Sequence, residues 1–256
     1  MMNDITSENS ILSRKIRMSQ IKIFFVLLVP FVSFFQPSIS VGESLTINFK
    51  NLKSIPPDNL IIIDTRSKFK YLLGHIPKAI HLGKWQDFTQ NVKGVRGLLI
   101  KNPIFIVNKF NSYGIHPKKH IVIYGDPDDP WRTDGRFFWM FERFGFNKVT
   151  IYEGGLKNWK NSGEKLEFGQ GSALAKPLLT VKDIRLNDEV SAEQQWILER
   201  LNSKTLAIID NRTRDEYLGA IPYGSPRGGH IPNAVHIYWP DFFLPSGHMK
   251  SKTELL

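Results

Sequence analysis

The chain has no cysteine at any of its 256 positions. A disulfide, a thiolate metal site and a cysteine nucleophile are all excluded by that absence. The chain also lacks an apolar run long enough to cross a bilayer comfortably. The segment IFFVLLVPFVSFF, Ile23 to Phe35, falls short of the roughly 20 residues such a helix needs, and Pro30 interrupts it. Runs of lysine and arginine long enough to form a nucleic-acid patch are missing too, although the net charge is +10. That balance implies a basic, solvated surface open to anions or acidic lipid.

What is present begins with a targeting pattern. Arg14, Lys15, Arg17 and Lys22 precede the apolar run, and the small residues Ser38, Ser40 and Gly42 follow it. A charged start, a short apolar middle and a small-residue end describe a secretory signal peptide over residues 1–40. Export to the periplasm or the extracellular space is the expectation. The alternative is an uncleaved N-terminal anchor, which would be the only tie to a membrane. Met1 and Met18 are both possible starts.

The rest of the chain states one pattern twice. IIIDTRSKFKYLLGHIPKAIHL begins at Ile61, and AIIDNRTRDEYLGAIPYGSPRGGHIPNAVHIYW returns towards the other end. Each copy reads as a buried apolar strand (LIIID, LAIID), D-x-R, a short helix with an aromatic, G-H-I-P-x-A and a second short strand. Asp64 and Asp210 stand where a strand feeds a helix and are candidate caps. His75 and His230 alone read as core or turn histidines. Gly74 and Gly229 permit a tight turn. Between the copies HIVIYGD reads as a buried strand, and DGRFFWMFERFGF places Phe137, Met140, Phe141 and Phe144 at helical spacing. VTIYEGG and LKNWKNSG add a strand and a helix. Strands alternating with helices predict an α/β fold, two domains each with a mainly parallel sheet flanked by helices. The expected bounds are 45–168 for the first, 169–180 for a linker and 181–256 for an incomplete second.

The ordered set resembles the rhodanese family, in its two-domain thiosulfate and mercaptopyruvate sulfurtransferases. The matching residues are Asp64-Thr65-Arg66, Gly74-His75-Ile76-Pro77, Tyr124, and Gly154-Gly155 with Trp159. In the second copy they are Asp210-Asn211-Arg212, Asp215-Glu216-Tyr217, YGSPRGGHIPNAV, Trp239 and KSKTEL. The resemblance implies a small anionic sulfur donor and a loop cysteine in the second domain that carries sulfur as a persulfide. It also implies that Arg212 contacts the donor, with a structural pair to Asp210 or Glu216 as the alternative, and that Arg66 is structural. It calls for no cofactor, metal or nucleic acid, and it leaves room for a protein partner.

This chain departs from that pattern in two ways. Gly125 stands where a nucleophile would follow Tyr124, in a loop reading GDPDDPW. Its prolines lack N–H donors, and Asp126, Asp128 and Asp129 would repel an anionic donor. A solvated turn is the expectation there, with a divalent cation on those carboxylates as the alternative. Second, the spacing from His75 to Tyr124, carried over to His230, runs past Leu256. The expectation is therefore a second domain without its catalytic loop, hence no catalytic residue, an inactive sulfurtransferase or fragment. The alternative is a non-catalytic binding or scaffold module.

Overall fold

Strand β1 (Thr46–Ile47) leads into helix α1 (Phe49–Ser54), where the Asn48 side chain accepts the Asn51 N–H at 2.9 Å and caps the first turn. The computed structural model describes residues 44–171 and 179–255. The expected signal segment 1–40, and residues 172–178 of the expected linker, lie outside the described residues.

The run LIIID forms β2 (Leu60–Asp64), followed by α2 (Lys68–Leu72) and β3 (Ile80–His81). A hairpin of β4 (Thr89–Val92) and β5 (Val95–Leu99) and helix α3 (Pro103–Asn111) come before β6 (His120–Tyr124). Helix α4 (Thr133–Arg143), β7 (Val149–Tyr152) and α5 (Gly155–Asn161) complete the first repeat. The main sheet has the order β1-β7-β6-β2-β3, and every neighbouring pair is parallel. This is the α/β architecture expected.

Alternation along the strands decides the two layers. Ile61, Ile63, Ile121 and Ile123 face Phe110 of α3 and Phe137 and Phe141 of α4. Ile62, Val122 and Tyr124 face Leu52 of α1 and Leu156 and Trp159 of α5. Both faces are covered, so Leu60–Ile63 of β2 and Ile121–Ile123 of β6 are apolar without interruption. The α4 spacing read from sequence is the buried stripe: Phe137, Met140, Phe141 and Phe144 are all buried. Each such phenylalanine contributes roughly 2 kcal/mol. Residues 179–190 return to the same core. Leu179 and Ile184 are buried in it, Asn111 bonds the Leu179 N–H and C=O at 2.8 and 2.9 Å, and Trp139 Nε1 donates to the Val190 carbonyl at 2.7 Å.

The second repeat supplies α6 (Gln194–Leu198), β8 (Ile209–Asp210), α7 (Arg214–Leu218), β9 (Val235–His236) and α8 (Lys252–Leu255). Strands β8 and β9 pair in parallel, Ile209 beside Val235 and Asp210 beside His236. The register matches that of Ile63 with Ile80 and Asp64 with His81. Burial does not match. The run LAIID, expected as a buried strand, pairs only at Ile209–Asp210, and Ile209 is 55% exposed where Ile63 is fully buried. The reason is coverage: β6 closes the other edge of β2, whereas among the described residues β8 has β9 alone.

One local expectation is corrected. Asp64 and Asp210 do not cap the helices that follow them. Ser67 caps α2, accepting the Lys70 N–H at 3.3 Å, and Thr213 caps α7 in a reciprocal pair with Glu216. The two aspartates stand three residues too early, and their carboxylates turn sideways to an arginine instead.

Candidate functional site

Those two arginines belong to a side-chain module built twice in the same form. In the first copy Arg66 donates from Nε to Asp64 Oδ1 at 3.0 Å and from Nη2 to Asp64 Oδ2 at 2.6 Å and to the Gly74 carbonyl at 2.7 Å. In the second, Arg212 donates from Nε to Asp210 Oδ1 at 2.9 Å and from Nη2 to Asp210 Oδ2 at 2.6 Å and to the Gly229 carbonyl at 2.8 Å. Tyr71 stacks on His75 at 3.9 Å, and Tyr217 on His230 at 3.7 Å. The tyrosine hydroxyls donate to the carbonyls of Ala79 and Ala234 at 2.9 and 3.0 Å. Nε2 of His81 meets the Arg66 carbonyl at 2.8 Å, and Nε2 of His236 meets the Arg212 carbonyl at 2.9 Å. The arginine thus locks the turn after G-H, and the tyrosine ties the helix to the following strand.

The two copies differ in electrostatics. Asp64 is buried and takes a further 2.6 Å hydrogen bond from the Tyr124 hydroxyl. Burial and the Asp64 charge hold the Tyr124 hydroxyl well above its ordinary pKa. Burial works against the Arg66 charge, but the bonds and charge of Asp64 outweigh it and raise the Arg66 pKa. Arg212 keeps 42% of its side chain exposed. Its hydrogen bond to Asp210 raises its pKa and lowers that of Asp210. The structural pair weighed for Arg212 is therefore with Asp210. Its Nη1 makes no hydrogen bond among the described residues.

The loop after β6 leaves Asp128, Pro130 and Trp131 exposed, as expected of a solvated turn, but its ends are packed on two sides. Gly155, at φ +55°, is pressed so close that a Cβ there would lie 2.1 Å from the Gly125 carbonyl oxygen, so no side chain fits. On the other side Gly247 packs on Pro127, where a Cβ would come within 2.6 Å of the proline ring. The Arg132 guanidinium bonds buried Asp134 at 2.9 and 2.8 Å and lies 4.2 Å from the Phe243 ring centroid. Residues 239–249 thus cover the loop. Inside it, Asp129 accepts the Trp131 N–H at 3.0 Å and the Thr133 N–H at 2.9 Å. These N–H groups lie at the start of α4, where the helix favours negative charge. Burial pushes the Asp129 carboxyl up, but the bonds from Thr133 and Trp131 and the Arg132 charge hold it below its ordinary pKa. The N–H groups that could cradle an anion ahead of the helix are thus bonded by the chain's own carboxylate. A pocket of about 470 Å³ beside it is lined by Arg66, Lys70 and the three aspartates. Among the described residues no group of three or more acidic or histidine side chains is placed to hold a metal ion.

A model of the rhodanese-like domain matches residues 49–162 and 193–255, the stretches that carry the two modules. The chain belongs to the rhodanese family. It is 29% identical over 196 residues to a thiosulfate sulfurtransferase of Azotobacter vinelandii, covering 77% of this chain and 69% of that protein. It is 32% identical over 195 residues to a thiosulfate sulfurtransferase of Mus musculus, covering 74% of this chain and 63% of that one. A 3-mercaptopyruvate sulfurtransferase of Mus musculus is 28% identical, and the match spans 63% of its length. Among solved structures, SseA of Escherichia coli, described as having the rhodanese fold, superimposes with a TM-score of 0.67 at 24% identity over 83% of this chain and 81% of its own. These sulfurtransferases are what the chain is similar to; the chain itself contains no cysteine.

The sequence reading found both D-x-R arginines and both G-H-I-P turns. Asp129 is legible there only as one of three repelling carboxylates; its bonds to the Trp131 and Thr133 N–H groups depend on loop geometry, and the tyrosine–histidine stacks were not foreseen. A signal for the stacks was available: Tyr71, His75 and His81 recur in order as Tyr217, His230 and His236.

Proposed function

We propose that these 256 residues act as the donor-binding scaffold of rhodanese-type sulfur chemistry and carry out no sulfur transfer. One observation carries this reading: the position after Tyr124 is Gly125, no cysteine stands anywhere in the chain, and the cradle beside Gly125 is filled by Asp129. A persulfide needs a thiolate to attack the donor sulfur, and no side chain here supplies one. The Nη1 edge of Arg212, without a hydrogen bond among the described residues, remains for an oxyanion, since a guanidinium stays charged and binds oxygens in a fixed plane. Export through the N-terminal segment belongs to the same proposal; the mass of the N-terminus of secreted protein tests it.

The functional test is a thiosulfate-to-cyanide assay on the purified chain, paired with a thiosulfate titration. Thiocyanate should form no faster than in buffer. Arg212→Gln should weaken thiosulfate binding about tenfold, the loss of one charge-assisted contact. Turnover at ordinary enzyme rates sinks the proposal. A second reading, a protein-binding module, is favoured by the apolar side chains of Ile209, Leu218 and Val235 that stand in solvent. That reading gains if thiosulfate does not bind.

A further inference from the structure

A cleft of about 1230 Å³ opens beside the first module, at the carboxyl ends of β2 and β3. Ligands in parallel α/β sheets bind on this side. Rings of Tyr71, Trp85, Tyr113 and Trp131 wall it. Its charges do not balance. Lys68, Lys84 and Arg136 line it, and none of them makes an ion pair among the described residues. The remaining charged neighbours are committed elsewhere. Arg66 is held by Asp64, and Asp87 accepts the Lys84 N–H at 3.1 Å. Burial lowers the His81 pKa, and both of its ring nitrogens are engaged, with the Arg66 carbonyl and the Gly83 N–H.

Two of the free cations rest on ring faces. Lys68 Nζ lies 4.8 Å from the Tyr71 ring centroid, and the Arg136 guanidinium lies 4.6 Å from that of Trp85. A π face orients a cation and strips part of its water without neutralising it. A carboxylate partner would do the opposite. Such a cation is ready for an anion, and the neighbouring rings are ready for a flat apolar body. Trp131 meets the Tyr223 ring at 5.5 Å between centroids and is still 57% exposed.

We infer that this cleft is a binding site for a planar organic anion, its charged group on Lys68, Lys84 and Arg136 and its rings against Trp85 and Trp131. The site uses neither Arg212 nor Asp129, so it stands apart from the sulfur-donor proposal. The test is calorimetric titration of the full chain with 2-naphthalenesulfonate, with 2-naphthalenemethanol as the uncharged analogue and sulfate as the anion without rings. Saturable binding of the sulfonate is expected, with both analogues at least about tenfold weaker. Arg136→Gln and Lys68→Gln should each weaken the sulfonate about tenfold, the usual scale of one charge-assisted contact. Lys50→Gln, an exposed lysine on α1, should leave it unchanged. Near-ultraviolet circular dichroism checks the packing of each variant, and Lys84→Gln replaces either cleft variant that fails it. The inference is overturned by no sulfonate binding, by equal binding of the uncharged analogue, or by cleft variants that bind like the unaltered chain.

Discussion

Replacing Asp129 with alanine should weaken the first repeat by an amount that can be worked from its contacts. Helix α4 begins after Arg132, a left-handed residue at φ 43° that offers no capping oxygen. Asp129 takes over that task from outside the helix, through the Trp131 and Thr133 N–H groups. Loss of a capping side chain costs about 1 kcal/mol. Loss of a negative charge at a helix start costs up to a further ~1 kcal/mol. The sum is about 2 kcal/mol, which for a unit of this size lowers Tm by roughly 4–8 °C. Urea unfolding followed by tryptophan fluorescence measures it. Asp129→Asn keeps an acceptor oxygen and should lose about half as much. The pH dependence has a definite sign. The folded pKa of Asp129 lies below its ordinary value, so its contribution is present above that ordinary value and fades as pH falls through the folded one. The unaltered chain and Asp129→Ala should therefore converge in stability in acid. A loss below about 0.5 kcal/mol at neutral pH would refute the idea that this carboxylate holds the cradle.

The duplicated module offers a paired experiment. Arg66→Gln strands a buried Asp64 and should cost about 3 kcal/mol or more in urea unfolding, whereas Arg212→Gln, part of an exposed pair, should cost under about 1 kcal/mol; equal losses would contradict the assigned burial. Gly155→Ala must displace the Gly125 carbonyl and accept a left-handed backbone, so it should cost at least about 2 kcal/mol, read from the same denaturation curve. Limited proteolysis should cut within residues 193–255 before residues 44–168, because among the described residues of the later stretch only Ala234 is buried. Simultaneous cleavage of both stretches would count against that contrast, with mass spectrometry locating the first cuts.

Much of this could be read from residue order. The runs LIIID and HIVIY announce strands covered on both faces, and Phe137, Met140, Phe141 and Phe144 announce the stripe of one helix, because apolar periodicity is a local property of the chain. The repeat of D-x-R with G-H-I-P was equally plain. The roles of Asp64 and Asp129 were not. Each has the composition of a capping residue, and only the path of the backbone decides which N–H or guanidinium its carboxylate reaches. LAIID reads like LIIID, yet Ile209 is exposed and Ile63 is buried, because burial is set by which strands lie alongside and not by the residue itself.

The sequence alone settled the absence of a thiol, the duplication and the parallel α/β class, since composition and periodicity need no partner to be known. Tertiary structure decided which copy of the module is buried, what fills the cradle ahead of α4 and which cations stand without carboxylates. Those outcomes depend on groups far apart in the chain meeting at distances of a few ångströms, and the linear order does not contain those distances.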